Sequence, residues 1–472
     1  MKVLLRKRLL GWCTTLLVGL LLCACAARLP YQPADLKEQA APAEFGDRSA
    51  DDATLADLVR AAGYNEQWPP AQWRLDTLTL LALYFNPDVD VVRAEALASR
   101  AALATAAKRA PLSIELAAEH HSREVDGSPW SLGVAIGLPI GGVSRREAKL
   151  EKATFIANAA EIEIAASMWR VRGSVRDATV YLTASAQRIR LLEQRIKVHD
   201  ELVRLLNRRV DAGMMSARDL GRERTALARV IAEVALERTA NARAHGELAR
   251  AIGLPLETVQ SLRIADDAIQ RAIVIPDLAT ARGSALRNRL DVHAQLLEFG
   301  AADAEVRLAV AEQYPLFRLE PGFFWDQGDR IWSLASLVIP PVTAQALVRE
   351  AEARRQVAAQ RFAALQIHTI SEVEQAREVM LAARASVKAA EEIVSHAQMQ
   401  YERMRRYFDS GSGDRLQLAS ARLEIVQASQ HLQEAETALL EAMAQLEDAM
   451  QLPLSGEFLK FPDILPTAGT AS

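Results

Sequence analysis

Trp130-Ser131-Leu132-Gly133-Val134-Ala135-Ile136-Gly137-Leu138-Pro139 is the stretch on which the reading of this chain turns. Side chains alternate along a β-strand, so Trp130, Leu132, Val134, Ile136 and Leu138 share one face, and Ser131, Gly133, Ala135 and Gly137 share the other. A bulky apolar face opposite a face of very small residues suits a wall with hydrocarbon on one side and a lumen on the other. Taken alone, the same pattern also fits a strand in a soluble sandwich. A second copy shifts the balance. Trp332-Ser333-Leu334-Ala335-Ser336-Leu337-Val338-Ile339-Pro340-Pro341 opens with the same Trp-Ser-Leu, 202 residues on from Trp130 to Trp332. Each copy lies between long helical patterns.

Working outward, Leu112 to His120 reads as a partner strand, joined to Trp130–Leu138 by a polar turn from His121 to Pro129. Before it, Asn86-Pro87-Asp88 breaks one helical pattern, from Leu75, and starts another that runs from about Asp88 to Arg109 and stops at Pro111. After it, a helical pattern without proline, and with Gly173 as its one glycine, runs from about Ser144 to Val210. Such a helix spans roughly 100 Å and needs a coiled-coil or tubular setting to be stable. Asp211-Ala212-Gly213 reverses it, Ser216 caps a returning helix from Ala217 to about Ile252, and Gly253-Leu254-Pro255 ends that one.

After a stretch read as an irregular linker, 256–284, the plan restarts. Arg289-Leu290-Asp291-Val292 stands where Pro87-Asp88-Val89 stood, and the helix it opens runs to Gln313 and stops at Tyr314-Pro315. Leu316–Phe324 and Ile331–Ile339 read as strands, with Pro321 counting against the first. A long helix from about Thr343 to Phe408 turns at Ser410-Gly411-Ser412-Gly413 and returns from Asp414 to Met450. Gln451-Leu452-Pro453-Leu454 then echoes Gly253-Leu254-Pro255-Leu256. Landmarks in one order at nearly one offset mark a tandem duplication, with repeats at 75–255 and 285–455 and an irregular tail at 456–472. The expected fold is mainly α with a small β contribution: helix, strand, strand, long helix, helix, twice over, giving four strands per chain. Four strands cannot close a barrel, because the smallest barrels have about eight, so a membrane-spanning wall requires several copies of the chain.

Composition agrees with long, closely packed helices. Half of the 472 residues are hydrophobic and 25% charged, yet only 5% are aromatic. The net charge of −4 and the absence of a Lys/Arg run among aromatics argue against a nucleic-acid partner. At the N-terminus, Lys2, Arg6, Lys7 and Arg8 precede an apolar run, Leu9 to Leu22, which is short for a membrane span. Residues 1–24 are read as a signal peptide. Leu22-Cys23-Ala24-Cys25 resembles a bacterial lipobox, which makes Cys25 the expected lipidation site and anchors the chain in a lipid leaflet. Plain secretory cleavage near Cys25 is the alternative. Residues 25–74 read as an extended tether with a short helix near Thr54 to Ala62.

The duplicated order, together with Asn86-Pro87-Asp88, Arg209 through Asp211-Ala212-Gly213 with Leu220, and Tyr407 through Gly411 with Leu418, resembles the TolC-type outer membrane factor family over roughly residues 75–455. The resemblance implies a homotrimer in outer-membrane lipid, with a twelve-stranded barrel above an α-helical periplasmic barrel. It implies a passive exit duct that works with a periplasmic adaptor and an inner-membrane pump, in efflux or type I secretion. It also implies that the turns at Gly213, Met214 and Gly411 form an adaptor-docking tip. Ser410-Gly411-Ser412 departs from the small-Gly-apolar pattern that Ala212-Gly213-Met214 follows. Acidic residues near such tips can ring the duct; Asp219 and Asp414 are the candidates, with helix-start carboxylates as the plainer reading.

No His-Glu-x-x-His helix, paired cysteine or phosphate-cradling loop is present, so neither enzyme chemistry nor a cofactor is expected. His120 and His121 are adjacent on a strand and face opposite ways. A lipid-anchored coiled-coil scaffold shares the long helices but leaves the paired strands without a role. A periplasmic adaptor has one helical hairpin, which the duplication contradicts.

Overall fold

The structure, a computed structural model, describes residues 40–61, 67–109, 111–122, 129–140, 142–265, 274–326, 329–339 and 344–454. Cys25, the apolar run before it and the tail at 456–472 lie outside the described residues. The chain divides into two compact units, Met1–Arg48 and Ser49–Ser472. In the first, the described residues include one helix, α1 (Ala40–Gly46).

In the second unit the order is α2 (Ala53–Ala61), α3 (Leu75–Phe85), α4 (Pro87–Ala106), β1 (Ser113–His120), β2 (Trp130–Ile140), α5 (Val143–Asp211), α6 (Ala217–Ile252), α7 (Leu256–Ser261), α8 (Leu278–Asn288), α9 (Leu290–Glu312), β3 (Leu316–Asp326), β4 (Asp329–Val338), α10 (Ala344–Asp409) and α11 (Arg415–Met450). The duplication is visible element by element. Leu75 and Leu278, Pro87 and Leu290, and Ser113 and Leu316 each open equivalent elements 203 residues apart. Ala217 and Arg415, like Ile252 and Met450, are 198 apart.

Helix α8 begins inside the stretch read as linker. The Asp277 carboxylate caps it, accepting hydrogen bonds from the Thr280 amide at 3.0 Å and hydroxyl at 2.6 Å. Ala281 and Ala285 then bury against Val373 and Met380 of α10. Nor are the described residues of 50–74 an extended tether. Leu55, Val59 and Trp73 are buried with α3 in the larger core. The Trp68 indole donates to the Ala50 carbonyl at 3.1 Å and meets Trp73 edge-on. Trp73 pairs with Ile264 as a parallel bridge, its amide donating to the Arg263 carbonyl at 2.8 Å.

All four strands form one antiparallel sheet in the order β1-β2-β3-β4, so the two repeats meet where β2 pairs with β3. The odd proline is accommodated: the β3–β4 register shifts between Leu319 and Gly322, on either side of Pro321. β2 runs past Leu138 to Ile140 because β3 continues to pair with it there.

The landmarks read separately in the sequence interlock. Asn86, buried between α3 and α4, accepts from the Asp88 amide at 2.9 Å and donates to the Ala251 carbonyl at 2.8 Å, near the end of α6. Gly253 closes α6 at φ +86, and a Cβ there would lie 2.4 Å from the Phe85 carbonyl oxygen. In the second repeat the same joint is built with other groups. Gln451 takes a left-handed φ of +46, and its side-chain oxygen accepts from the Leu290 amide at 2.6 Å.

A buried ion cluster ties the first repeat to the second. Glu447 on α11 is 0% exposed and Arg176 on α5 is 2%. Glu447 accepts from Arg172 at 3.2 Å, from Arg176 at 3.3 Å and from the Leu454 amide at 2.9 Å. Asp448 accepts from Arg176 at 2.6 Å and from the Trp169 indole at 3.1 Å. Burial opposes the charge on Arg176, but the Asp448 hydrogen bond and the surrounding carboxylates outweigh it and hold the guanidinium protonated. Glu447→Ala takes away an acceptor from the half-buried Arg172 and one of the acceptors of Arg176, which keeps Asp448, and leaves the Leu454 amide without its partner; it is expected to cost about 1–3 kcal/mol. The unfolding midpoint of the detergent-solubilised protein should fall accordingly; an unchanged midpoint would show that the cluster does not hold the repeats together.

Candidate functional site

Two regions present surfaces that the chain does not itself satisfy: the sheet, and the two helical reversals at the far end of the long helices. On the sheet, Ile114, Leu116, Trp130, Leu132, Val134, Ile136, Leu138, Phe317, Trp332 and Leu334 are exposed. Pairing puts Ile114 against Ile136, Leu116 against Val134, and Val134 against Phe323, so one face is apolar across three strands. The opposite face carries Ser131, Gly133, Ala135 and Gly137, and β3 adds a feature that the alternation of β2 alone does not show. Phe324 pairs with Gly133 and lies across it; a Cβ on Gly133 would come within 1.9 Å of the ring. The small face is therefore partly a seat for an aromatic side chain.

At the sheet's loop end, His121 Nε2 lies 3.0 Å from the Ser131 hydroxyl, which in turn donates to Asp326. His120 instead stacks edge-on against Trp130, so the adjacent histidines do point apart. Among the described residues no cluster of His, Cys, Asp and Glu is placed to hold a metal ion. No described helix is long and apolar enough to cross a membrane.

At the other end α5 turns into α6 through Gly213 at φ +71, and α10 into α11 through Gly411 at φ +77. A Cβ at either would meet nothing within 4 Å. The left-handed backbone, not crowding, selects glycine here. Met214 stands 70% exposed beside the first turn. Asp219 sits in the first turn of α6, where its amide donates to the Ser216 hydroxyl at 3.3 Å and its carboxylate accepts from that hydroxyl at 2.7 Å. Asp414 caps α11, accepting from the Leu416 amide at 3.0 Å.

Asp414 also accepts a hydrogen bond from Arg209 near the end of α5, which joins the tips of the two hairpins. The sequence places both residues at reversals but gives no sign that they meet, 205 positions apart. Above this pair, Val198, Leu202 and Leu205 of α5 pack against Leu416, Ala419, Leu423 and Val426 of α11. His199, buried in the same turn of α5, shares a 2.6 Å hydrogen bond with Glu223 of α6.

The sequence profile of a family described as outer membrane efflux protein matches residues 79–254 and 342–450. No curated protein matches the sequence. Among solved structures, the outer-membrane channel OprN superposes with a TM-score of 0.67 at 18% identity, covering 86% of this chain and 97% of that one. The outer membrane protein VceC from Vibrio cholerae gives 0.66 at 18% identity, with 80% and 96% covered. The CmeC outer membrane channel from Campylobacter jejuni gives 0.67 at 12% identity, with 92% and 95% covered. At these identities the likeness establishes the fold.

The hydrogen bond from Arg209 is the largest influence on Asp414 and holds its carboxyl below the usual aspartate range, against the desolvation that raises it. A depressed folded-state value gives stabilisation that is complete above the unfolded value of about 3.9 and is lost as the pH falls through the lower one. Amide protection of residues 209–216 and 410–416 should thus hold at mildly acid pH and drop in stronger acid. Arg209→Ala should remove the pH-dependent part. Equal protection profiles for wild type and Arg209→Ala would mean that the pair does not hold the tips.

Proposed function

We infer the function from the family, for the chain belongs to the outer membrane efflux protein family. We read it as the passive exit duct of a tripartite efflux or secretion assembly, an outer-membrane channel in which three copies share one wall. The observation that carries this reading is the open sheet. β1 and β4 are its outer strands and have no further partner among the described strands of the chain. The face that would meet lipid is apolar from β1 to β4. Backbone groups left unpaired in hydrocarbon cost several kcal/mol each, so β4 of one copy pairs with β1 of the next, and three copies of four strands give twelve. The long helices continue the wall into the periplasm.

The tip at Gly213, Met214 and Gly411 is where a periplasmic adaptor docks, with exposed backbone and an exposed methionine as the offered surface. An inner-membrane pump supplies the energy and selects the cargo among small molecules, drugs or metal ions. Cys25 carries the acyl chains that fix the N-terminus in the outer membrane, and residues 1–24 are removed. The coiled-coil scaffold alternative leaves a broad apolar sheet face in water, where it would aggregate.

Extracted in mild detergent, the protein should run as a trimer that heating dissociates, and radiolabelled palmitate should enter wild type but not Cys25→Ala. A water-soluble monomer would end the duct reading. As for the acidic ring, Asp219 is tied to Ser216 and Asp414 to Arg209, so their pull on cations is weak. Asp219→Ala should change cation selectivity in planar bilayers by less than about twofold, since an exposed charge interacts at high dielectric. A larger loss of selectivity would make Asp219 a true filter residue.

A further inference from the structure

The registers of the four strands define rows that run straight across the sheet. Glu119, Ser131, Asp326 and Asp329 stand opposite one another in the row nearest the hairpin turns. Ala117, Gly133, Phe324 and Ile331 make the next row, and Glu115, Ala135, Gly322 and Ser333 the third. Directly paired residues point to the same face. Alternation along β2 puts all three rows on the face opposite Leu132, Val134 and Ile136. The middle row is apolar between two polar ones, and Phe324 is its largest member.

The ring of Phe324 does not stand upright on that face. It lies across Gly133, with Cδ1 1.9 Å and Cε1 2.3 Å from the place a Cβ would take. On its other side stands Ile331, 48% exposed. The tandem copy shows that the strand itself does not ask for glycine. Trp130-Ser131-Leu132 is followed by Gly133, whereas Trp332-Ser333-Leu334 is followed by Ala335. Ala335 pairs with Leu319, not with an aromatic residue. Glycine weakens a strand, so its use at position 133 is explained by what lies on it. An aromatic ring laid over a cross-strand glycine covers the bare backbone and gains that contact.

We propose that Phe324 sets the bore of the strand-built end of the duct, with Gly133 as the seat that holds its ring flat against the wall, and that this row limits the size of the cargo that leaves. The proposal rests on the shared-wall reading above, in which the small-residue face lines the lumen. A side chain at position 133 takes the place of the ring. The ring has few staggered alternatives. The side toward β4 is filled by Ile331, so a displaced ring turns into the lumen. Three copies place three such rings at one level, and the bore narrows from three sides at once. With glycine in place the rings stay down.

The test uses the full-length protein in intact cells, with Glu115→Cys, one row below the ring, as the reporter. Maleimide-coupled polyethylene glycols of graded length are added from outside. Phe324→Ala should admit longer polymers than the parent. Gly133→Val should slow labelling by the longest polymer that the parent admits several-fold. Gly133→Val combined with Phe324→Ala should restore the parent rate, because the new side chain then has no ring to displace. A small maleimide should react equally in all four proteins, which shows that the lumen is assembled in each. Equal size limits in the parent and Phe324→Ala overturn the bore, whether or not Gly133→Val assembles. A slowing in Gly133→Val that Phe324→Ala does not relieve overturns the seat. A Glu115→Cys protein that even the small maleimide fails to reach from outside overturns the shared wall itself.

Discussion

The outer edges of β1 and β4 set the terms for everything else in this protein. Each edge presents a row of backbone donors and acceptors, and the sheet between them turns an apolar face outward over most of its area. In water such a sheet would associate indiscriminately; in hydrocarbon its edges would be ruinous unless paired. A chain with one hairpin per repeat and two repeats cannot remove its own edges. On the proposed reading as a shared channel wall, further copies close the sheet, and the helices below then meet neighbours as well.

The helical body meets this demand by making each repeat nearly self-sufficient at one level and dependent at another. Near the middle, the joint where α3 gives way to α4 is locked to the end of α6 by Asn86 and Gly253. Its counterpart in the second repeat uses Leu290 and Gln451. The backbone problem is the same in both: a helix ends beside a break in another chain segment, and one of the groups so exposed needs a partner. The side chains that answer it differ. Arg176, Glu447 and Asp448 bind the two repeats to each other through charge.

Toward the tip the balance changes. Apolar packing between α5 and α11 thins to a narrow strip, and the final link is the partly exposed pair of Arg209 with Asp414. Partly exposed pairs are weak and screened by salt. The end of the molecule furthest from the sheet is therefore the one held by the most easily broken interactions. On the proposed reading, this suits a tip that docks a partner, while the buried cores above hold the scaffold.

The alternation of Trp130 to Leu138, its echo at Trp332, and the offset that runs through the whole chain were enough to give four strands, two long hairpins and the order between them. These are local or periodic properties, and the repeat reports them twice. The sequence by itself also marked Gly213 and Gly411, because a left-handed turn after a long helix has one favoured residue. What it could not give were meetings between positions far apart: Phe324 over Gly133, Asn86 on Ala251, Arg176 with Glu447, Arg209 with Asp414. Each depends on how two distant elements are brought side by side, and no periodicity encodes that. Helix α8 was missed for a related reason. It is short and weakly patterned, its local signal is the Asp277 cap alone, and its burial against α10 is a long-range contact that the sequence does not display.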